Sequence, residues 1–144
     1  NEEVVMDLAL QKAQDISKNN KDAYVLGFDT LVILDGKPLG KPKDTDEAFE
    51  MLSALRGRTH RVLTGCAIVI NDYKDTFYEF ADVTFTDISD EEIHNYIETK
   101  EPMDKAGSYG IQKHGAKFVT KVNGDFYTVM GMPIHKLYER LKVL

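Results

Sequence analysis

The carboxylate of Asp29 is the first side chain whose position suggests chemistry. Asp29 follows an apolar run at 23–28 and precedes Thr30. A carboxylate at the end of a buried strand loses hydration, so it needs a cation, a metal ion or a hydrogen-bond donor to stay ionised. Lys41, which the following hairpin returns in Leu39-Gly40-Lys41-Pro42, is the candidate cation. An aspartate at a strand end is also typical of a residue that caps a turn.

Lys12 is the second side chain with an unusual position. The apolar residues around it recur at helical spacing and predict a buried stripe formed by Val5, Leu8, Ala9, Ala13 and Ile16. Lys12 lies one turn from both Leu8 and Ile16, inside that stripe. A lysine there either extends its ammonium past the edge of the core or meets an anion. The pattern leaves both interpretations open.

Composition limits the classes of protein that are possible. The chain has 144 residues, 42% of them hydrophobic, which predicts a single domain over 1–144 with a real core. A net charge of -6 argues against nucleic-acid binding, because such proteins carry a basic patch. The single cysteine, Cys66, lies in an apolar run and is expected to be a buried hydrophobe. No apolar stretch is long enough for a membrane span, so a cytoplasmic protein is expected.

Helical and strand patterns alternate along the chain and predict the α/β class. Capping boxes begin two helices, Asp44 with Glu47 and Ser89 with Glu92. Pro133 begins a last helix, with Ile134, Leu137, Tyr138 and Leu141 predicted to be buried. Strands are predicted at 23–28, 31–34, 60–70, 76–86 and 116–122. The apolar run 126–130 fits either a helix or a strand.

Residues 100–115 form a long irregular segment. It contains Pro102 and three glycines, so neither a regular helix nor a core strand is expected. Tyr109 and Ile111 supply apolar anchors, which predict an ordered loop. Ordered loops of this length usually have a function.

Several sequence blocks occur together in one order. They are Gly27-Phe28-Asp29-Thr30, Leu39-Gly40-Lys41-Pro42, the run 55–65 (LRGRTHRVLTG), the run 100–112 (KEPMDKAGSYGIQ), Gly124-Asp125-Phe126 and Gly131-Met132-Pro133. The ordered set strongly resembles the Maf family of nucleoside triphosphate pyrophosphatases, once described as septum formation inhibitors. The resemblance covers the whole chain. It implies a mixed twisted sheet flanked by helices, in a Maf/ITPase-like α/β architecture.

The resemblance also implies an activity and a set of site residues. Members of the family hydrolyse a nucleotide between its α and β phosphates, which releases a monophosphate and pyrophosphate. By resemblance, Asp29 accepts a proton from the attacking water or helps to hold a divalent ion, Mg²⁺ or Mn²⁺. Lys12, Lys41 and Lys105 would neutralise phosphate oxygens. The expected site is one cleft shared by the carboxylate and the three ammonium groups.

Substrate choice and assembly are expected on the same basis. Thr30 and Gln112 match the branch of the family that acts on dTTP and UTP, rather than the branch that acts on 7-methyl-GTP. A glutamine amide offers a donor and an acceptor to a pyrimidine edge. The resemblance further implies a homodimer. The alternative function is a nucleotide-binding regulator of septum formation and cell division in which catalysis is secondary.

Two departures from the family pattern affect these expectations. Nothing in the chain matches the first strand and the Ser-x-Ser-Pro-Arg-Arg loop with which members of the family begin. Without those arginines, we expect much slower turnover than from a protein that has them. Phe28 also replaces the small residue that is usual before the aspartate, which would narrow the pocket or change base stacking.

Overall fold

The computed structural model describes all residues from Asn1 to Leu144. Five helices and five strands form, together with three short 3₁₀ segments at Glu101–Asp104, Ala106–Ser108 and Lys113–Phe118. In chain order the helices and strands are α1 (Glu2–Ser17), β1 (Val25–Leu34), β2 (Lys37–Leu39), α2 (Thr45–Leu55), β3 (Thr59–Ile70), β4 (Tyr73–Phe85), α3 (Asp90–Glu98), β5 (Val119–Gly124), α4 (Phe126–Val129) and α5 (Ile134–Leu141).

The strands form one five-stranded antiparallel sheet that is flanked by helices. Their order is β2-β1-β3-β4-β5. Val32 pairs with Leu39 across β1 and β2, and Val83 pairs with Val122 across β4 and β5. The predicted α/β class is confirmed. None of the helices is long and apolar enough to cross a lipid bilayer.

The chain forms two compact units. The first comprises Asn1–Thr30, Leu63–Phe80 and Asp125–Leu144, and the second comprises Leu31–Val62 and Ala81–Gly124. The single domain expected over 1–144 stays a prediction.

Helix α1 buries its small residues in the first unit. Ala9 and Ala13 pack with Val25, Ala67 and Val69. Ala9 and Ala13 are four residues apart, a spacing that places their side chains on one line along the helix.

The predicted stripe of α1 is partly wrong. Leu8 is 37% exposed and Ile16 is 57% exposed. They lie on one line with Lys12, which is also exposed. The sequence pattern predicted the helix correctly but predicted a wider buried face than the structure has. Helical periodicity does not distinguish a small residue that contacts the strands from a large residue at the exposed edge of the same face.

Two glycines let α1 approach the strands closely. A Cβ atom on Gly27 of β1 would lie 2.2 Å from the carbonyl oxygen of Ala9, and one on Gly65 of β3 would lie 2.4 Å from that of Val5. Both distances are far below van der Waals contact. Glycine at these positions therefore determines how near the helix backbone comes to the strands. That distance also sets where the Lys12 side chain lies relative to β1.

A second apolar cluster of the first unit includes the last helix. Cys66, Ile68, Phe77 and Leu137 are buried together. Burial raises the pKa of the Cys66 thiol to about 12, as expected of a small buried hydrophobe.

The last helix buries less than its pattern predicted. Only Leu137 of α5 is buried, whereas Ile134 is 47% exposed and Tyr138 is 59% exposed. The prediction that these two are buried was wrong, because hydrophobicity alone does not say whether a second layer covers a helix face.

The second unit confirms one capping box and half of the other. Ser89 Oγ accepts from the Glu92 amide at 3.1 Å and Glu92 Oε1 accepts from the Ser89 amide at 3.0 Å, which closes the box of α3. At α2, Asp44 Oδ1 accepts from the Glu47 amide at 2.8 Å, but Glu47 Oε1 accepts from the amide of Lys43.

Several predicted boundaries need correction. Strand β1 runs without a break through Asp29 and Thr30, so Asp29 lies inside the strand and not at its end. The turn between β3 and β4 is shorter than predicted, since Asn71 adopts a left-handed conformation (φ 51°) and β4 begins at Tyr73. Residues 116–118 belong to a 3₁₀ segment. The unassigned run at 126–130 forms α4.

A buried histidine lies in the aromatic cluster of the second unit. His60 is 2% exposed, and its Nε2 lies 2.6 Å from the hydroxyl of Tyr109. Its ring also contacts the Phe85 ring edge to face, with 5.1 Å between centroids. The other nitrogen, Nδ1, has no hydrogen-bond partner. Burial lowers the pKa of His60 to about 4, because the charged imidazolium would lose its hydration there.

The His60 pKa predicts a loss of stability in mild acid. The unfolded histidine gains a proton below about 6.5 while the folded one stays neutral until about pH 4, so the unfolding free energy falls across this window by about 3 kcal/mol. His60→Gln, which can keep the bond to Tyr109, should make the unfolding free energy depend less on pH. Urea titrations between pH 7 and pH 4 measure this dependence. The exposed His135→Gln is the control and should leave the slope unchanged. Equal slopes for the His60 variant and the wild type would contradict the assignment.

Candidate active site

The carboxylate of Asp29 and the ammonium of Lys12 form an ion pair in the first unit. Lys12 Nζ lies 2.8 Å from Asp29 Oδ1 and 3.1 Å from the carbonyl oxygen of Phe28. The Asp29 side chain is 16% exposed, whereas that of Lys12 is 58% exposed. The cation beside the half-buried carboxylate is therefore Lys12 from α1, and not Lys41 as expected from the sequence. Of the two interpretations of Lys12, the contact with an anion is the one observed.

The pair keeps free capacity for a ligand. An ammonium group has three N–H donors, and Lys12 uses two of them, on Asp29 and Phe28. A carboxylate has two oxygens, and the chain places a donor only on Oδ1 of Asp29. One donor of Lys12 and one oxygen of Asp29 thus remain for a phosphate group and a water molecule.

A chain of hydroxyl groups orients Thr30, the residue after Asp29. Thr64 Oγ1 donates to the carbonyl oxygen of Thr128 at 2.9 Å, and Thr30 Oγ1 lies 3.0 Å from Thr64 Oγ1. Thr64 has only one proton and gives it to Thr128, so Thr30 must be the donor to Thr64. The free lone pairs of the Thr30 oxygen can then only accept. Thr30 is suited to an N–H or O–H group of a ligand and not to a phosphate oxygen.

The second unit brings two more of the predicted lysines together. The amide of Gly107 donates to the carbonyl oxygen of Gly40 at 3.1 Å, which ties the loop of Lys105 to the turn of Lys41. Lys105 Nζ lies 3.0 Å from Asp104 Oδ1. The Lys105 ammonium, and more weakly that of Lys41, lower the pKa of the Asp104 carboxyl.

Gln112 lies in the same unit on the irregular loop. Its side chain is exposed and forms no hydrogen bond with the chain. The amide is therefore available to a ligand. The predicted site residues fall into two groups, with Lys12, Asp29 and Thr30 in the first unit and Lys41, Lys105 and Gln112 in the second.

The chain alone has no ready metal site. No group of three or more histidine, cysteine, aspartate or glutamate side chains is placed to hold an ion. Mg²⁺, however, commonly binds through one or two carboxylates, with water and substrate phosphates completing its shell. The free oxygen of Asp29 fits that limited requirement.

Comparison with known proteins decides the family. The family model described as Maf-like protein matches residues 1–144. The chain belongs to the Maf family. A "dTTP/UTP pyrophosphatase" of Bacillus cereus (strain B4264) is 51% identical over 140 residues, which cover 97% of this chain and 73% of the relative. Relatives with the same name, identity and coverage occur in Bacillus anthracis (strain CDC 684 / NRRL 3495) and in Bacillus thuringiensis subsp. konkukian (strain 97-27).

Some residues of the candidate site were not predicted from the sequence. Thr64 and Thr128 orient the Thr30 hydroxyl, and Asp104 pairs with Lys105. Thr64 and Asp104 both stand inside the blocks that carry the Maf resemblance, so that signal was present. Their contacts depend on chain approaches that no local pattern specifies.

The buried hydroxyl chain predicts the effect of removing Thr64. Thr64→Val keeps the side-chain shape but removes the acceptor of the Thr30 hydroxyl and one of the two donors to the Thr128 carbonyl, which keeps only the Gly131 amide. The loss of these bonds should lower the unfolding free energy by about 1–3 kcal/mol. Thr59→Val is the matched control, because Thr59 is on the same strand and its hydroxyl bond to Thr84 is exposed. That variant should change stability by less than about 0.5 kcal/mol. Urea denaturation measures both, and equal losses would contradict the inferred hydroxyl chain.

Proposed function

We propose that this Maf protein is a nucleoside triphosphate pyrophosphatase that hydrolyses dTTP and UTP between the α and β phosphates. The products are a nucleoside monophosphate and pyrophosphate. Family membership and the relatives named dTTP/UTP pyrophosphatase support this activity. The structural observation that carries the proposal is the Lys12–Asp29 pair, with its spare N–H donor and spare carboxylate oxygen.

In the proposed reaction Asp29 is the proton acceptor. Its Oδ2 takes a proton from the water molecule that attacks the α phosphorus, and the bridging oxygen leaves with pyrophosphate. Lys12 holds the carboxylate in place through Oδ1 and directs its third N–H to a phosphate oxygen. Since charge accumulates on the phosphate oxygens in the transition state, an ammonium group held beforehand lowers the barrier.

The alternative role proposed for Asp29 is to help hold a divalent ion. Mg²⁺ or Mn²⁺ bound there would polarise the phosphate and lower the pKa of a bound water molecule. The remaining ligands would come from water and from the nucleotide itself.

The residues of the second unit are proposed to bind the nucleotide. Lys41 and Lys105 neutralise phosphate oxygens, and the exposed Gln112 amide pairs with the edge of the pyrimidine. Uracil and thymine offer a carbonyl acceptor beside an N–H donor, whereas cytosine offers an amino donor beside a ring-nitrogen acceptor. Thr30, held as an acceptor, is proposed to take a hydrogen bond from a donor group of the substrate.

Location and assembly complete the proposal. We infer a cytoplasmic homodimer that binds neither nucleic acid nor membranes. Its net charge of -6 disfavours nucleic-acid binding. Light scattering after gel filtration measures the assembly state directly.

Replacing Asp29 tests the catalytic assignment. Asp29→Asn keeps the size of the side chain and an oxygen for Lys12 but removes the proton acceptor, so turnover of dTTP should fall by about a hundredfold or more. Pyrophosphate release measures turnover, and thermal unfolding verifies the fold. Asp22→Asn, at an exposed turn residue, is the control and should retain full activity. Undiminished turnover in Asp29→Asn would overturn the role of Asp29.

A nucleotide and metal panel tests the substrate and the ion. Pyrophosphate release from dTTP and UTP should exceed that from CTP, GTP and 7-methyl-GTP, and it should require Mg²⁺ or Mn²⁺ and stop with EDTA. Preference for 7-methyl-GTP would rule out the pyrimidine branch. Nucleotide binding without pyrophosphate release, under every metal condition, would favour the alternative of a regulatory binding protein.

A further inference from the structure

A phenol and a carboxylate meet at the base of the irregular loop in the second unit. Tyr96 of α3 is 2% exposed, and its hydroxyl donates to Oε2 of Glu101, the first residue of the 3₁₀ segment Glu101–Asp104. The complete capping box of α3 holds the helix that carries Tyr96. Neither Tyr96 nor Glu101 has a role in the proposed reaction.

Three backbone amides of the segment 110–115 converge on this pair. The Gly110 amide donates to the Tyr96 hydroxyl oxygen at 3.1 Å. The amides of His114 and Gly115 donate to Glu101 Oε1 and Oε2 at 3.2 and 3.0 Å. Gln112 lies between these anchored ends. Side-chain acceptors therefore hold three amides of the segment, whose residues 113–115 begin the 3₁₀ segment Lys113–Phe118.

Close contacts show how tightly the segment folds onto the pair. A Cβ atom on Gly115 would lie 2.1 Å from the Gly110 carbonyl oxygen and 2.7 Å from the Tyr96 hydroxyl oxygen. One on Gly110 would lie 2.8 Å from Cε of Lys105, so the lysine stem runs directly over the Gly110 backbone. The position of Gly110 therefore affects both Lys105 and Gln112.

The backbone of the loop is strained and needs such anchors. Three of its residues other than glycine have positive φ angles, Lys100 at 66°, Ser108 at 66° and Lys113 at 57°. Conformations of this kind persist where surrounding contacts enforce them.

The charge states of the pair favour a strong contact. Burial acts to raise the pKa of Glu101, but hydrogen bonds from Tyr96 and from the two amides outweigh it and lower that pKa. Burial, and then the bond to Glu101, raise the pKa of Tyr96. An ionised acceptor thus meets a protonated phenol, and such charge-assisted bonds are stronger than neutral ones.

We propose that Tyr96 and Glu101 are positioning residues that hold the segment 110–115 in the conformation in which Gln112 selects the pyrimidine base and Lys105 binds phosphate. The role rests on the proposed function, since it assigns the pair to the same nucleotide site. Neither residue touches the substrate in this role. They affect nucleotide binding only indirectly, through their hydrogen bonds with the amides of Gly110, His114 and Gly115.

Two conservative variants of the full chain test the proposal. Tyr96→Phe removes the hydroxyl that joins Glu101 to Gly110, and Glu101→Gln replaces one acceptor oxygen by a donor. Hydrogen exchange should become at least about tenfold faster at Gly110, His114 and Gly115 in either variant, because each amide loses or weakens its bond. Glu98→Gln and Tyr24→Phe, at exposed residues, are the controls and should leave exchange at these amides unchanged.

Base selectivity is the second readout. Calorimetry with the non-hydrolysable α,β-imido analogues of dUTP and dCTP gives the affinity ratio between the two bases. That ratio should fall by about tenfold in Tyr96→Phe and in Glu101→Gln and stay at the wild-type value in both controls. A merely structural role would lower the folded fraction and weaken both analogues equally.

The outcomes separate the possibilities. Faster exchange together with a lower affinity ratio supports the proposal. Unchanged exchange overturns it, and so does faster exchange with an unchanged ratio. Should one variant fail to unfold cooperatively, the other is judged by the same criteria. Both readouts are independent of hydrolysis, so failure of this proposal is distinguishable from failure of the proposed activity.

Discussion

A half-buried carboxylate inside a strand is the constraint on which the candidate site depends. Asp29 is only 16% exposed, and an ionised group with so little hydration needs a partner. The partner, Lys12, comes from a helix whose backbone approaches the strands at Gly27 and Gly65. Larger residues at those glycines would push the helix away and carry the ammonium with it. The packing of α1 against the strands therefore determines whether the Asp29 carboxylate has its cation.

The same arrangement explains why the carboxylate stays available for chemistry. Lys12 contacts one oxygen of Asp29 and a backbone carbonyl, and most of the lysine side chain is exposed. An exposed ammonium can reach an incoming phosphate without losing its contact with Asp29. A fully buried ion pair would lose the hydration of both charges and would leave no exposed N–H donor for a ligand. Beside it, the hydroxyl chain through Thr64 makes Thr30 an acceptor, so neighbouring residues offer complementary groups to a substrate.

Much of the fold could be predicted from local patterns. The capping box at Ser89, the helix after Asp44 and the long β runs that became β3 and β4 depend on residues close in sequence, and the structure confirms them. The errors have a common cause. Leu8, Ile16, Ile134 and Tyr138 were assigned to the core because they are apolar and at helical spacing, yet all four are exposed. Spacing shows which residues share a face, but only the neighbouring elements decide whether that face is covered.

The sequence by itself determined the α/β class, the family resemblance and the identity of the candidate residues, because short blocks of residues carry that information. Tertiary structure alone decided that Asp29 lies within a strand, that Lys12 is its cation and that Thr30 can only accept a hydrogen bond. It also decided that the irregular loop is held by Tyr96 and Glu101. The Asp29–Lys12 and Thr30–Thr64 contacts join residues 17 and 34 positions apart. Such contacts arise from how closely backbones approach one another, and periodicity along a single segment does not encode that distance.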